Sequence, residues 1–145
     1  MDRDAQKWIK KLGLAPHPEG GWYRETLRST HCTTIYYLLE AGTFSAWHRV
    51  HGADEVWHHY AGDLLVLHQL HEGGLERQLL GEDVHHLVIP AGRWQAAEPA
   101  GDRYSLVGCT VAPAFTFERF ELGARGAMLE AFPAHERWIN RFTRG

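Results

Sequence analysis

The stretch at residues 45–63, SAWHRVHGADEVWHHYAGD, decides how this chain is read. It holds two short runs rich in aromatic and β-branched residues, SAWHRV and EVWHHYA, separated by HGAD and closed by AGD. Such runs between glycine- and aspartate-containing turns read as neighbouring strands. The same residues carry four of the chain's eleven histidines, together with Asp54, Glu55 and Asp63. They pose two questions at once: what sheet they build, and whether they hold a metal.

Outward from this stretch the texture continues. From about residue 22 to 122 the runs WYRETLR, TTIYYLLE, LLVLHQLH, LERQLL, HHLVIP, RWQAAEP, YSLVGCTVAP and FTFERFEL alternate with PEGG, EAG, EGG, PAG and PAGD. Many short strands with regular turn signals indicate a β-sandwich or barrel, so the expected class is mainly β. Residues 2–13 suit an amphipathic helix with Asp2 or Asp4 as its N-cap, Trp8, Ile9 and Leu12 at helical spacing, and Gly13 as its stop. PAHERWINRFTR reads as a closing helix begun by Pro133, with Trp138, Ile139 and Phe142 on one face. No repeat or linker divides the 145 residues, which have the size of one domain, 1–145.

Composition narrows the partners. With 44% hydrophobic and 23% charged residues the chain matches ordinary globular proteins rather than disordered or collagen-like ones. A formal charge of −3 with scattered Lys and Arg offers no basic face, which argues against nucleic acid and anionic membrane partners. No run reaches the ~18 apolar residues of a membrane span. The charged opening MDRDAQKWIKKLGL lacks the apolar core of a signal peptide, so a cytoplasmic location is expected. Cys32 and Cys109 are expected to stay reduced as plain packing residues.

Strand geometry then tests the histidines. Side chains alternate between faces, so two ligands offered by one regular strand should stand two positions apart. His48 and His51 are three apart, as are His68 and His71, while His58–His59 and His85–His86 are adjacent, so none is a good ligand pair on a regular strand. If His48 faces inward, so do Ala46 and Val50; if Glu55 faces inward, so do Trp57, His59 and Ala61. That sets an imidazole opposite a carboxylate beside an indole. Burial would raise the carboxyl pKa and a nearby imidazolium would oppose the rise, an arrangement that can move protons near neutral pH or serve as a structural hydrogen bond.

These residues also carry a resemblance. Gly42, His48, Val50, Glu55 and Gly62 are spaced as in the first motif of the cupin superfamily, in which a second histidine normally stands where Val50 is. PAGRWQAAEP is similar to the second motif, with Pro90 and Gly92 in place and Gln95 at the remaining ligand histidine; Val84 and Pro99 replace its usual glycine and asparagine. More narrowly, HPEGGWYRETLRS, the block from TTIYYLLE to AGDLL, IPAGRWQAAEP and YSLVGCTVAPAFTFERFEL together resemble cupin subfamily 5, the DUF985 family, with Ala114 at a usual glycine. The resemblance implies a double-stranded β-helix, or jelly roll, with short terminal helices, a pocket in the barrel mouth, and pairing into homodimers.

The expected site follows from both readings. His48, Glu55 and Gln95 are the only donors left at the cupin metal positions, and glutamine oxygen is a weak ligand, so no cofactor is expected. A weakly held divalent metal on His48, Glu55 and Gln95, rescued by His59 if its register allows, is the alternative. The expected ligand is a small polar molecule such as a sugar or nucleotide-sugar, met by Glu19, Tyr23, Arg24, Ser45, Trp57, His59, Gln95 and Phe117, with Trp94 as a further rim residue. Arg24 could clamp an anionic group bidentately or pair with a nearby acid. The opening block also resembles, more loosely, the metal-free sugar-nucleotide epimerases of the same superfamily. If the protein is an enzyme, His48 is the expected general base and Glu55 its partner or the acid. The alternatives are a binding protein without turnover and, disfavoured by Val50 and Gln95, a metal-dependent oxygenase or isomerase.

Overall fold

Alternation of side chains builds two antiparallel sheets that face each other. The computed structural model describes residues 1–18 and 20–145. In chain order the strands are β1 (Ala15–Pro16), β2 (Trp22–Arg28), β3 (Thr33–Leu39), β4 (Ser45–Val50), β5 (Asp54–Gly62), β6 (Leu65–His71), β7 (Gly74–Leu80), β8 (His86–Ile89), β9 (Trp94–Pro99), β10 (Ser105–Ala112) and β11 (Phe120–Leu122). One sheet runs β1-β2-β3-β10-β5-β8 and the other β11-β4-β9-β6-β7. The fold is mainly β, as the alternating runs require, and FTFERFEL contributes only its last residues as strand.

Between the sheets lie Tyr37, Leu39, Trp57, Leu65, Leu67, Leu80, Ile89 and Val107, all buried. Burying each large side chain contributes about 1.5–3 kcal/mol. This core fills one end of the sandwich and leaves the other open.

Both outer faces are partly roofed by helices. Helix α1 (Arg3–Leu12) is capped by Asp2, whose carboxylate accepts from the Asp4 and Ala5 N–H groups. It stops at Gly13, whose φ of 66° suits glycine. Its Ala5, Trp8, Ile9 and Leu12 cover Leu38, Tyr104 and Leu106 on the first sheet. The second sheet is roofed by α2 (Arg125–Ala131) and α3 (Glu136–Arg141), joined by a 3₁₀ turn at Pro133–His135. Met128, Ile139 and Phe142 pack there on Trp47, Leu70, Trp94 and Ala96, and the Trp47 indole donates to the Trp138 carbonyl at 3.0 Å. Trp94 is therefore not a rim residue; it lies under this roof, with the Arg49 guanidinium 4.3 Å from its ring centre. No helix among the described residues is long and apolar enough to cross a membrane.

Two bulges reset the alternation. On β4, Ser45 pairs with Ala97 and His48 with Gln95, so three steps on one strand match two on its neighbour. On β5, His59 pairs with Val107 and Ala61 with Leu106, leaving Tyr60 as the extra residue. Ala61, expected inward with Glu55, accordingly packs outward beneath α1.

Candidate functional site

At the open end, strands β2, β3, β4, β5 and β10 and the segment 113–122 enclose a cavity of about 310 Å³. Its walls are mostly apolar: Ile35, Tyr37, Val50, Trp57, Val111, Phe115, Phe117 and Phe120. The rim carries Tyr23 and His17, whose rings meet edge-on at 4.7 Å, and the Glu25–Arg28 ion pair at 2.8 Å. Arg28 also donates to the Phe115 carbonyl at 2.9 Å, tying the 113–122 segment to β2. Phe117 is 86% exposed at the entrance.

The polar floor is made by His48, Ser45, Glu55 and Cys109. The β4 bulge explains how Ser45 and His48, three apart in sequence, both reach the cavity. His48 is half-buried and lies on the Phe120 ring, with centres 5.7 Å apart. Its Nδ1 stands 2.8 Å from the Ala46 carbonyl. A carbonyl only accepts, so Nδ1 carries the proton and Nε2 holds a lone pair. Burial pushes the His48 pKa down to about 4; the Ala46 bond opposes that shift and the charge of His17 adds to it.

Glu55 is 6% exposed. Burial raises its pKa to about 7, against the pull of hydrogen bonds from Gln95 and the Cys109 thiol. The Gln95 amide is oriented by a neighbour that can only donate: Trp57 Nε1 gives its hydrogen to Gln95 Oε1 at 2.7 Å. Gln95 Nε2 must then face Glu55, and it lies 2.9 Å from Oε1. The result is a directed chain, Trp57 to Gln95 to Glu55, beside a histidine whose tautomer is fixed.

The expected residues divide. The structure brings Tyr23, Ser45, His48, Glu55, Trp57 and Phe117 to one cavity. Gln95 stands behind the wall and acts through Trp57 and Glu55. Arg24 does not enter: it points to the outer side of its sheet, where it donates to the Leu12 carbonyl at 3.2 Å. His59 faces inward but four strand positions beyond Glu55, at the filled end, with Nε2 bonded to the Asp63 carbonyl at 2.8 Å, so it cannot complete a site with His48. Glu19 lies outside the described residues. Cys109 corrects the expectation of a plain packing cysteine, because its thiol faces the Glu55 carboxyl, and burial followed by that carboxylate pushes its pKa well above the usual thiol value. Inward parity of Ser105, Val107, Cys109 and Val111 on β10 was the signal that could have found it.

A family model described as Cupin superfamily (DUF985) matches residues 6–123. The chain belongs to the DUF985 family of cupins. Among solved structures this cupin is similar to a protein from Shewanella oneidensis, at 35% identity over 97% of both chains with a TM-score of 0.88. It is also similar to a hypothetical protein from Leishmania major, at 31% identity over 97% of this chain and 99% of that one, with a TM-score of 0.89. Streptomyces PAC13 with uridine shares the fold alone, at 13% identity over 74% and 82% of the two chains and a TM-score of 0.61. No curated protein matches.

The metal positions of the superfamily are poorly suited to an ion in this cupin. Gln95 has committed its oxygen to Trp57 and its nitrogen to Glu55, and Val50 offers a hydrocarbon wall. Among the described residues no group of three or more His, Cys, Asp or Glu gathers as metal ligands would.

Proposed function

We propose that this cupin binds a small polar molecule through an uncharged sugar or nucleobase ring in its barrel mouth, and that Glu55 moves a proton on that ring without a metal. The observation that carries this reading is the Trp57–Gln95–Glu55 chain, which orients a carboxyl that burial raises to a pKa of about 7, in the same cavity as His48, which burial lowers to about 4. Pockets that combine apolar walls with a few convergent polar groups suit such ligands. The floor favours a neutral ligand, because its acid is half protonated near neutrality and its base is uncharged. The cation of the cavity, Arg28, sits at the rim and is paired with Glu25, so an anionic substituent would belong there. Uridine in PAC13 supports the reading only at the level of the fold.

The expected roles of His48 and Glu55 are exchanged in this proposal. A general base works best with a pKa near the working pH, which suits Glu55 and not an imidazole near 4. His48 Nε2 instead accepts a hydrogen bond from a ligand hydroxyl or N–H and orients it. Glu55 takes a proton from one ligand atom as its carboxylate becomes a carboxylic acid, and returns it to the same or a neighbouring atom. An epimerisation or isomerisation of this kind balances with no co-reactant.

The test is a panel of neutral sugars, nucleosides and nucleotide-sugars, scored by calorimetric binding and by solvent deuterium entering the ligand. Binding with exchange, reduced about 10²–10⁴-fold in Glu55→Gln and unaffected by a chelator, is expected. Binding without exchange would reduce the protein to a binding module, and exchange abolished by a chelator would overturn the metal-free reading.

A further inference from the structure

The outer face of the first sheet carries a second constellation of histidines, separate from the cavity. Alternation on β5 sends Glu55 and Trp57 inward and His58 outward, where β8 sets His86 directly opposite. The neighbouring bond from the His59 N–H to the His85 carbonyl, 2.9 Å, shows what type of pair this is. In an antiparallel ladder, bonds that flank a facing pair without joining it mark the non-hydrogen-bonded position, where Cα atoms approach to about 4.5 Å and side chains come closest.

The two imidazoles accordingly meet with ring centres 6.2 Å apart, tilted by 43°. His58 is half-buried, and its ring runs parallel to Tyr60, with centres 6.4 Å apart, while His86 is exposed. Exposed His51 and half-buried His71 are each bonded to an acid, Glu121 and Glu76. His58 and His86 have no hydrogen bond or ion pair among the described residues. Two imidazoles held side by side, neither hydrogen-bonded to another described residue, form a bidentate donor set.

We propose that His58 and His86 hold a divalent transition ion, Zn²⁺, Ni²⁺ or Cu²⁺, through one nitrogen of each ring, with water completing the coordination shell. Imidazole selects these ions over Mg²⁺ and Ca²⁺, which prefer oxygen. Metal–nitrogen bonds of about 2.0–2.1 Å let one ion bridge two rings at this spacing after small side-chain rotations. Binding displaces protons from the pair, so affinity should fall on acidification.

The experiment uses the full chain without a histidine tag. Zn²⁺ is titrated calorimetrically near neutral pH, and Cu²⁺ binding is read by electron paramagnetic resonance. One ion per chain, with splitting from two nitrogens, is expected. His58→Ala and His86→Gln should each weaken binding by about tenfold or more, while His71→Ala and His48→Ala leave it unchanged. Thermal melts confirm that each variant is folded, and His86, exposed on an edge strand, tolerates exchange even if His58 does not. Wild-type affinity in the folded His86→Gln protein, or a loss that follows His48 or His71 instead, would overturn the site.

Discussion

Replacing Glu55 by Gln should stabilise this cupin at alkaline pH and leave it nearly unchanged at acid pH. Glu55 has an ordinary value of 4.5 and is raised to about 7 by burial, net of the donors Gln95 and Cys109. A group whose folded-state pKa is raised contributes stability that is fully present below the unfolded value and is lost as pH rises through the folded one. The loss therefore falls between about pH 4.5 and 7, and amounts to about 3 kcal/mol at 1.36 kcal/mol per pKa unit. Glutamine is neutral throughout, and its carbonyl can accept the hydrogen bond from Gln95 Nε2, so the variant avoids that loss. For a domain of this size 1 kcal/mol moves the melting midpoint by roughly 2–4 °C, which makes the gain roughly 6–12 °C above neutrality. All other groups are common to both proteins, so contributions independent of residue 55 cancel in the difference. Circular-dichroism melts of both proteins at about pH 5 and pH 8.5 would measure it. A difference in midpoint that does not change with pH would refute the raised carboxyl, and with it the proton-transfer role.

Two further predictions concern groups away from the cavity mouth. His68 is fully buried among Trp47, Trp138 and Phe142, its ring nitrogens without a hydrogen-bond partner among the described residues and its Nε2 3.8 Å from Glu98 Oε1, and burial, then Arg77 and Arg141, lower its pKa to about 4. Its stability contribution is present above its ordinary 6.5 and lost as pH falls toward 4, so His68→Leu should raise the melting midpoint more at about pH 5 than at pH 8; an equal shift at both would count against this account. Cys32 is half-exposed and Cys109 is buried with a raised pKa, so an alkylating reagent should modify Cys32 in the folded protein and Cys109 only after denaturation, as mass spectrometry of the peptides would show.

The strands were legible because their boundaries are written in local chemistry. WYRETLR matches β2 residue for residue, and the turns HGAD and AGD separate β4 from β5 and β5 from β6 as expected. That His48 and Glu55 both face inward was legible too, because alternation on each strand is a local property; they line one cavity from opposite sheets and are not bonded to each other. What failed was an inference that carried alternation across a bulge: Ala61 leaves the face of Trp57. Arg24 and Trp94 were misplaced for another reason. An arginine or indole on a strand fits either face, and what decided between them was the roofing by distant helices. Helix α2 went unread because RGAMLEA is a seven-residue segment with a glycine and no side-chain cap.

The Trp57–Gln95 hydrogen bond bears on how this lineage could gain or lose a metal centre. A neutral imidazole has one lone pair. Introduced at position 95, it could accept the indole N–H or ligate an ion, but not both. Gln95→His alone would therefore leave either Trp57 without its acceptor or the ion without its ligand, and it would also alter the donor that faces Glu55. By this argument a metal-binding version of this pocket would need positions 50, 57 and 95 changed together. If the proposed metal-free chemistry holds, Val50, Trp57 and Gln95 act as one unit, and a change at any one of them bears on the other two.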